Sequence, residues 1–129
     1  MLLLDTHVVL WLVDTQDRIP EKALAGIEDR RNSLYVSAVS AWEIGMLSAH
    51  SRIGLPYPPS DFYARVLDEW NITELAIDGH IAFRAVALPA IHNDPFDRIL
   101  IATAELNNLR IVTKDTIIPT YPGVRTLWN

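Results

Sequence analysis

The chain has 129 residues, 50% of them hydrophobic and 21% charged, with a net charge of −5 and no cysteine. That is enough apolar material for one folded domain, residues 1–129, and the composition is not that of a disordered chain. The missing thiols exclude a disulfide framework, a thiolate zinc site and a cysteine nucleophile, while the acidic balance argues against a nucleic-acid binder unless the acids surround a bound cation.

Leu2-Leu3-Leu4 reads as a buried strand stopped by Asp5. The apolar opening is far too short for a secretory leader, and no charge-free run approaches the ~18–20 residues of a membrane span, so a cytoplasmic protein is expected. Thr6 to Val13 is an apolar helix with Asp5 or Thr6 as its cap. Asp14 to Ile19 is polar and reads as a loop. Pro20 opens an amphipathic helix to Arg31, with Ala23, Leu24 and Ile27 inward. Leu34 to Val36 is a second strand.

Ser37 or Ser40 can cap the next helix, which runs to about His50. It is apolar nearly all round and should be largely buried. Its one acid, Glu43, is then costly unless paired or metal-bound, or else reaches water at the helix margin. Ser51 to Pro59 is a connecting loop. Ser60 to Trp70 is amphipathic, with Phe62, Val66, Leu67 and Trp70 inward. Ile72 to Ile77 is a strand, Asp78-Gly79 a turn or cap, and His80 to Leu88 a helix stopped by Pro89.

Asp94 then sits at an N-cap with Pro95 at the first helical position. Asp97 falls at N3, where it can complete an acidic capping box or serve a site. Ile99, Leu100, Ala102, Ala104 and Leu106 continue the helix to Asn107-Asn108. Arg110 to Thr113 is a strand with Lys114-Asp115 at its C-terminal edge. Residues 116–123 are loop or a short turn, and Val124 to Leu127 a last edge strand.

Short apolar strands alternating with helices predict a mostly parallel α/β sheet covered on both faces. Ligands of such sheets bind beyond the C-terminal ends of the strands. Asp5 and Asp115 end strands, Glu43 follows one, and Asp94 and Asp97 open a helix. Up to five carboxylates therefore collect at one edge, and their repulsion needs a compensating cation. Oxygen donors without cysteine or a histidine pair favour Mg²⁺ or Mn²⁺ over Zn²⁺. Phosphodiester hydrolysis is the natural reaction class of such a site. Spacing alone does not name RNA as the substrate.

Five stretches in this order resemble the PIN-domain ribonucleases of the VapC toxin type. They are Leu-Leu-Asp-Thr-His-Val-Val-Leu-Trp at 3–11, Ser-Ala-Val-Ser-Ala-Trp-Glu-Ile at 37–44, Gly-Leu-Pro at 54–56, His-Asn-Asp-Pro-Phe-Asp-Arg-Ile-Leu-Ile-Ala-Thr-Ala at 92–104 and Val-Thr-Lys-Asp at 112–115. The resemblance implies a PIN-like three-layer α/β/α fold and a Mg²⁺- or Mn²⁺-dependent endoribonuclease. Its metal-binding quartet would be Asp5, Glu43, Asp97 and Asp115. Asp94 would have cap or outer-shell duty, beside Thr6 and the hydroxyl of Thr113. A homodimer and a small antitoxin that folds onto the toxin are implied too. One departure stands out: many relatives carry basic residues after the Trp-Glu-Ile helix turn, and here only Arg52, and His50 if protonated, can replace them.

Arg98 can pair with a carboxylate or with a substrate phosphate. His7 and His92 lie near the acidic edge, where capping and packing outweigh a role as general acid or water-holder. His50 and His80 read as surface residues, and Trp11, Trp42 and Trp70 as core or interface. Two other functions compete. A catalytically inactive PIN-like module would bind a partner only, but a complete quartet argues against drift. A haloacid-dehalogenase-like phosphatase would use Asp5, but His7 stands where its second Asp belongs, and Glu43 would have no role.

Overall fold

The wholly apolar Leu2–Leu4 forms β1, the central strand of a five-stranded sheet in a computed structural model that describes residues 1–129. The other strands are β2 (Leu34–Ser37), β3 (Ile72–Leu75), β4 (Arg110–Val112) and β5 (Thr126–Leu127), in the order β3-β2-β1-β4-β5. Every pairing is parallel, with Leu3 opposite Tyr35 on one side and Ile111 on the other. Between β4 and β5 a loop with a 3₁₀ turn (Ile118–Thr120) makes the crossover; the other crossover connections that parallel neighbours need are provided by helices. These are α1 (Thr6–Asp14), α2 (Glu21–Glu28), α3 (Ala38–Ala49), α4 (Pro59–Trp70), α5 (Gly79–Ala87) and α6 (Pro95–Asn107).

Side chains alternate across the sheet, and so does the core. Leu2, Leu4 and Val112 join Val8 and Leu12 of α1, Ile27 of α2, and Phe62 and Val66 of α4. Leu3 and Ile111 join Ile81 and Ala85 of α5 and Leu100, Ile101 and Ala104 of α6. The result is the expected three-layer α/β/α arrangement. Gly26 sets how closely α2 lies on the sheet edge: a Cβ there would stand 2.8 Å from Leu127 Cδ2.

The structure corrects several local expectations. Helix α2 stops at Glu28 rather than Arg31, because Asp29 turns to extended backbone and its carboxylate takes the Arg31 guanidinium at 2.8 Å. The stretch 14–19 contains a single 3₁₀ turn, Gln16–Arg18. Helix α3 is not largely buried. Val39, Ser40 and Ile44 face inward, but Trp42 is 61% exposed and Met46 40%. Only one side of α3 meets the sheet, and Trp42 lies outside in a T-shaped contact with Phe96, with ring centroids 5.4 Å apart. Leu106, on the outer side of α6, is likewise exposed.

Helices α1 and α3 begin immediately after β1 and β2, and the 113–115 segment leaves β4 at the same end of the sheet. These junctions carry the acids.

Candidate active site

Asp5 leaves β1 in extended conformation and caps α1. Its Oδ1 accepts from the Thr6 backbone N–H at 2.6 Å, and its Oδ2 accepts from the Thr113 hydroxyl at 2.7 Å. Thr113 Oγ1 in turn accepts from the Asp115 N–H at 3.0 Å. One buried hydroxyl therefore fixes the acid after β1 relative to the acid after β4. The Thr6 hydroxyl donates to Ser40 Oγ at 2.9 Å, tying α1 to α3. Glu43 stands three residues beyond Ser40 on that helix.

Asp94 caps α6 through Oδ1, which accepts from the Phe96 N–H at 2.8 Å. Asp97 does not complete a capping box. The Asp94 N–H goes instead to His92 Nδ1 at 3.2 Å, and Asp97 Oδ2 lies 2.9 Å from His92 Nε2. Asp115 Oδ2 lies 3.1 Å from the same nitrogen. Because Nδ1 accepts, the neutral ring carries its proton on Nε2 and donates between the two carboxylates. Asp115 Oδ1 caps the 3₁₀ turn Ile118–Thr120, accepting from the N–H groups of Ile117 at 2.7 Å and Ile118 at 2.8 Å.

His92 caps and packs as the sequence reading expected, through the Asp94 N–H, but it also bridges Asp97 and Asp115, which that reading did not foresee. Only the tertiary fold brings Asp115 to it. The local signal was its position two residues before Asp94, which lets Nδ1 take that residue's N–H. Tyr121 secures the loop further: its hydroxyl accepts from the His92 N–H at 2.7 Å and donates to the Pro89 carbonyl at 3.1 Å.

Asp5, Glu43, Asp94, Asp97 and Asp115 line one cleft of about 570 Å³, with His7, Trp11 and Lys114 on its walls. Burial, then the charges of Asp5 and Asp94, push the Asp97 carboxyl up to about 7, against the pull of His92. Burial also raises Asp5 despite its bond from Thr113, and raises Glu43 despite the nearby Thr6 hydroxyl. Burial would raise Asp115 as well, but the Ile118 N–H, His92 and the Ile117 N–H outweigh it and hold that carboxyl low. Raised acids crowded round an ionised one are the signature of a site short of positive charge.

This donor set fits a hard divalent cation. It is built of carboxylate oxygens, and an oxygen of Asp97 and one of Asp115 lie within 4.8 Å of each other beside His92. Asp5 and Glu43 face the same cleft from the other side of the junction.

The two arginines expected near substrate lie elsewhere. Arg98 faces neither a carboxylate nor the cleft. Its NH1 donates to the carbonyls of Pro89 (2.9 Å) and His92 (3.2 Å) and to the Tyr121 hydroxyl (3.3 Å). Its NH2 donates to the carbonyls of Val86 (3.2 Å) and Leu88 (2.9 Å). The guanidinium therefore closes the end of α5 and the loop that carries His92. Arg52 is exposed beyond α3 and does not line the cleft, whereas Lys114 does.

Comparisons with known proteins agree with this architecture. The sequence profile of the PIN domain family matches residues 2–124. Ribonuclease VapC22 of Mycobacterium tuberculosis is 33% identical over 129 residues, covering 98% of this chain and 97% of that protein. The VapBC2 structure from Rickettsia felis, bound to a promoter DNA fragment, superposes with a TM-score of 0.72 at 14% identity, covering 99% of this chain and 98% of that one. DNA-bound VapBC from Salmonella typhimurium gives a TM-score of 0.71 at 18% identity over 98% of this chain and 96% of that one. FitAcB from Neisseria gonorrhoeae gives 0.64 at 20% over 100% and 97%. The chain belongs to the PIN domain family, as a relative of the VapC ribonucleases.

Proposed function

We propose that this chain is the toxin of a toxin–antitoxin pair, an endoribonuclease that hydrolyses RNA phosphodiester bonds with Mg²⁺ or Mn²⁺. The carrying observation is the convergence of five carboxylates on one open cleft, with Asp97 pushed up to about 7. Asp5, Glu43, Asp97 and Asp115 are the residues to hold the metal. A divalent cation held there would supply positive charge to the phosphate oxygens and would acidify nearby water.

The protein's own part is positional. Thr6 and Thr113 fix both oxygens of Asp5, so that carboxylate enters the site without rotamer freedom. The 3₁₀ turn holds Asp115 ionised and leaves its Oδ2 toward the cleft. Asp94 fixes the start of α6, and so the placement of Asp97 one turn along. Lys114 at the wall meets phosphate charge.

The partner is inferred from relatives. One similar structure is a toxin–antitoxin complex from Klebsiella pneumoniae, 23% identical over 96% of this chain. A small antitoxin that covers the cleft belongs to the same reading, as does a homodimer of about twice the 14.6 kDa chain mass, measurable by sedimentation. No helix is long and apolar enough to cross a membrane. We place the chain in the cytoplasm, where a ribonuclease toxin would meet its RNA.

The test is cleavage of RNA beside a small phosphate monoester. RNA cleavage that chelator and Asp5→Asn both abolish supports the nuclease. Monoester turnover without RNA cleavage would favour the phosphatase. RNA binding without cutting, in protein refolded free of any partner, would favour the inactive module.

A further inference from the structure

The acidic cleft does not end at Asp115. A second groove, about 400 Å³, shares Lys114, Asp115 and Thr116 with it and continues past Lys22, Arg110 and Trp128. A third, about 430 Å³, shares Lys22 and Arg110 with the second and ends at Arg125. The three adjoin in series along the β4–β5 edge, each sharing wall residues with the next. Both lysines of the chain line them, and Asp115 is the only acidic side chain along the two outer grooves.

The fold brings these cations together. Arg110 and Lys114 are an even number of residues apart along β4 and its extension, on the face where Val112 meets α1 and α2. Lys22 lies one helical turn before Gly26, on the face of α2 that the missing Cβ lets approach Leu127 of β5. None of Lys22, Lys114, Arg110 and Arg125 is within 4 Å of a carboxylate; the only Arg or Lys ion pairs are Arg31–Asp29 and Arg84–Glu105. Arg110 uses only its Nε, donating to the Thr126 carbonyl at 2.8 Å, which leaves its terminal nitrogens free. An aromatic row runs beside the cations. His7 and Trp11 stand 5.8 Å apart at the cleft, and Trp11 stands 6.1 Å from Trp128 at the second groove.

Unpaired cations in a line beside aromatic rings, His7 exposed and Trp11 and Trp128 half-buried, suit a single strand, with phosphates on the cations and bases on the open parts of the rings. In a chain of net charge −5 their segregation to these grooves is not a composition effect. We propose that single-stranded RNA leaves the catalytic cleft over Lys114 and runs along these grooves, its phosphates meeting Lys22 and Arg110 and a base lying on Trp128. This track replaces the basic residues that the α3 helix lacks. The inference rests on the nuclease reading for its choice of RNA.

The test is binding of a labelled oligouridylate of about 16 nucleotides, long enough to fill such a track, to the full chain in chelator, where cleavage plays no part. Lys22→Glu and Arg110→Gln are each expected to weaken binding about five- to tenfold at low salt and to lower the salt slope by about 0.7 for each phosphate that is no longer neutralised. Lys22→Arg should restore both readings. Arg65→Glu, an equal charge change on α4, should leave affinity unchanged. Equal loss in Arg65→Glu, no loss in Lys22→Glu, or tighter competition by polyglutamate than by the oligouridylate would overturn the proposal. Cleavage of the same RNA is read separately with metal. Cutting without the binding contrast overturns the track alone, and the contrast without cutting overturns the nuclease alone.

Discussion

Replacing Asp97 by Asn should stabilise the metal-free chain at neutral pH while removing its function. Asp97 is held at about 7 against an ordinary 3.8, by burial first and then by Asp5 and Asp94. Between these values the native state keeps a proton that the unfolded chain has released. Stability therefore falls as pH rises from about 4 to about 7, and the full penalty persists above that. About three pKa units at 1.36 kcal/mol each set a ceiling of about 4 kcal/mol. The side chain is 16% exposed on an open cleft, so water screens the repulsion and a gain of about 1–2 kcal/mol is the working figure. Asn keeps an oxygen to accept from His92. The assay is urea unfolding in chelator, followed by tryptophan fluorescence from pH 4 to pH 8. The variant's advantage should be near zero at pH 4, grow to pH 7 and then level off. Added Mn²⁺ should raise the wild-type midpoint and leave the variant's nearly unmoved. An advantage independent of pH, or a variant less stable than wild type at pH 8, would refute the electrostatic reasoning.

Other predictions follow from particular contacts. Thr113→Val strips a hydroxyl that serves both Asp5 and Asp115. It should cost about 1–3 kcal/mol in urea unfolding and lower kcat, and Thr113→Ser should recover both. Arg98→Lys cannot reproduce a planar fork bonded to five oxygens, and should lose about 2 kcal/mol of stability with little change in KM for RNA. A large rise in KM with unchanged stability would return Arg98 to the substrate. His92→Ala should cost about 1–3 kcal/mol, because it orphans the Asp94 N–H and leaves Asp97 and Asp115 without their shared donor. Equal urea midpoints would show that the bridge contributes nothing.

The sequence revealed most where one local rule governs. Leu2–Leu4 is apolar on both faces because a central parallel strand is buried on both. Asp94-Pro95 opened a helix as capping and a fixed φ require. Asp5 and Asp115 were placed at one sheet edge because parallel connections return every strand in the same direction. Residues whose partners are distant in the chain were not legible. His92 finds Asp115 only through the fold, 23 residues on. Arg98 follows an acid in sequence, yet helix geometry turns it away from Asp97 to the carbonyls that end α5. Trp42 sits in an apolar helix, but periodicity does not say which side of such a helix meets the sheet. The basic track was hidden for the same reason. Lys22 and Lys114 are remote in sequence, and Lys22 looks like one more charge on a solvated helix face.

The most direct test of the central claim is cleavage of a structured RNA pool by the purified chain with Mg²⁺, with Mn²⁺ and with chelator, alongside Asp97→Asn. Metal-dependent cutting that disappears in chelator and in the variant is the predicted result. Cutting at an undiminished rate by Asp97→Asn, or in chelator, would contradict the assignment of the acidic cleft as the active site.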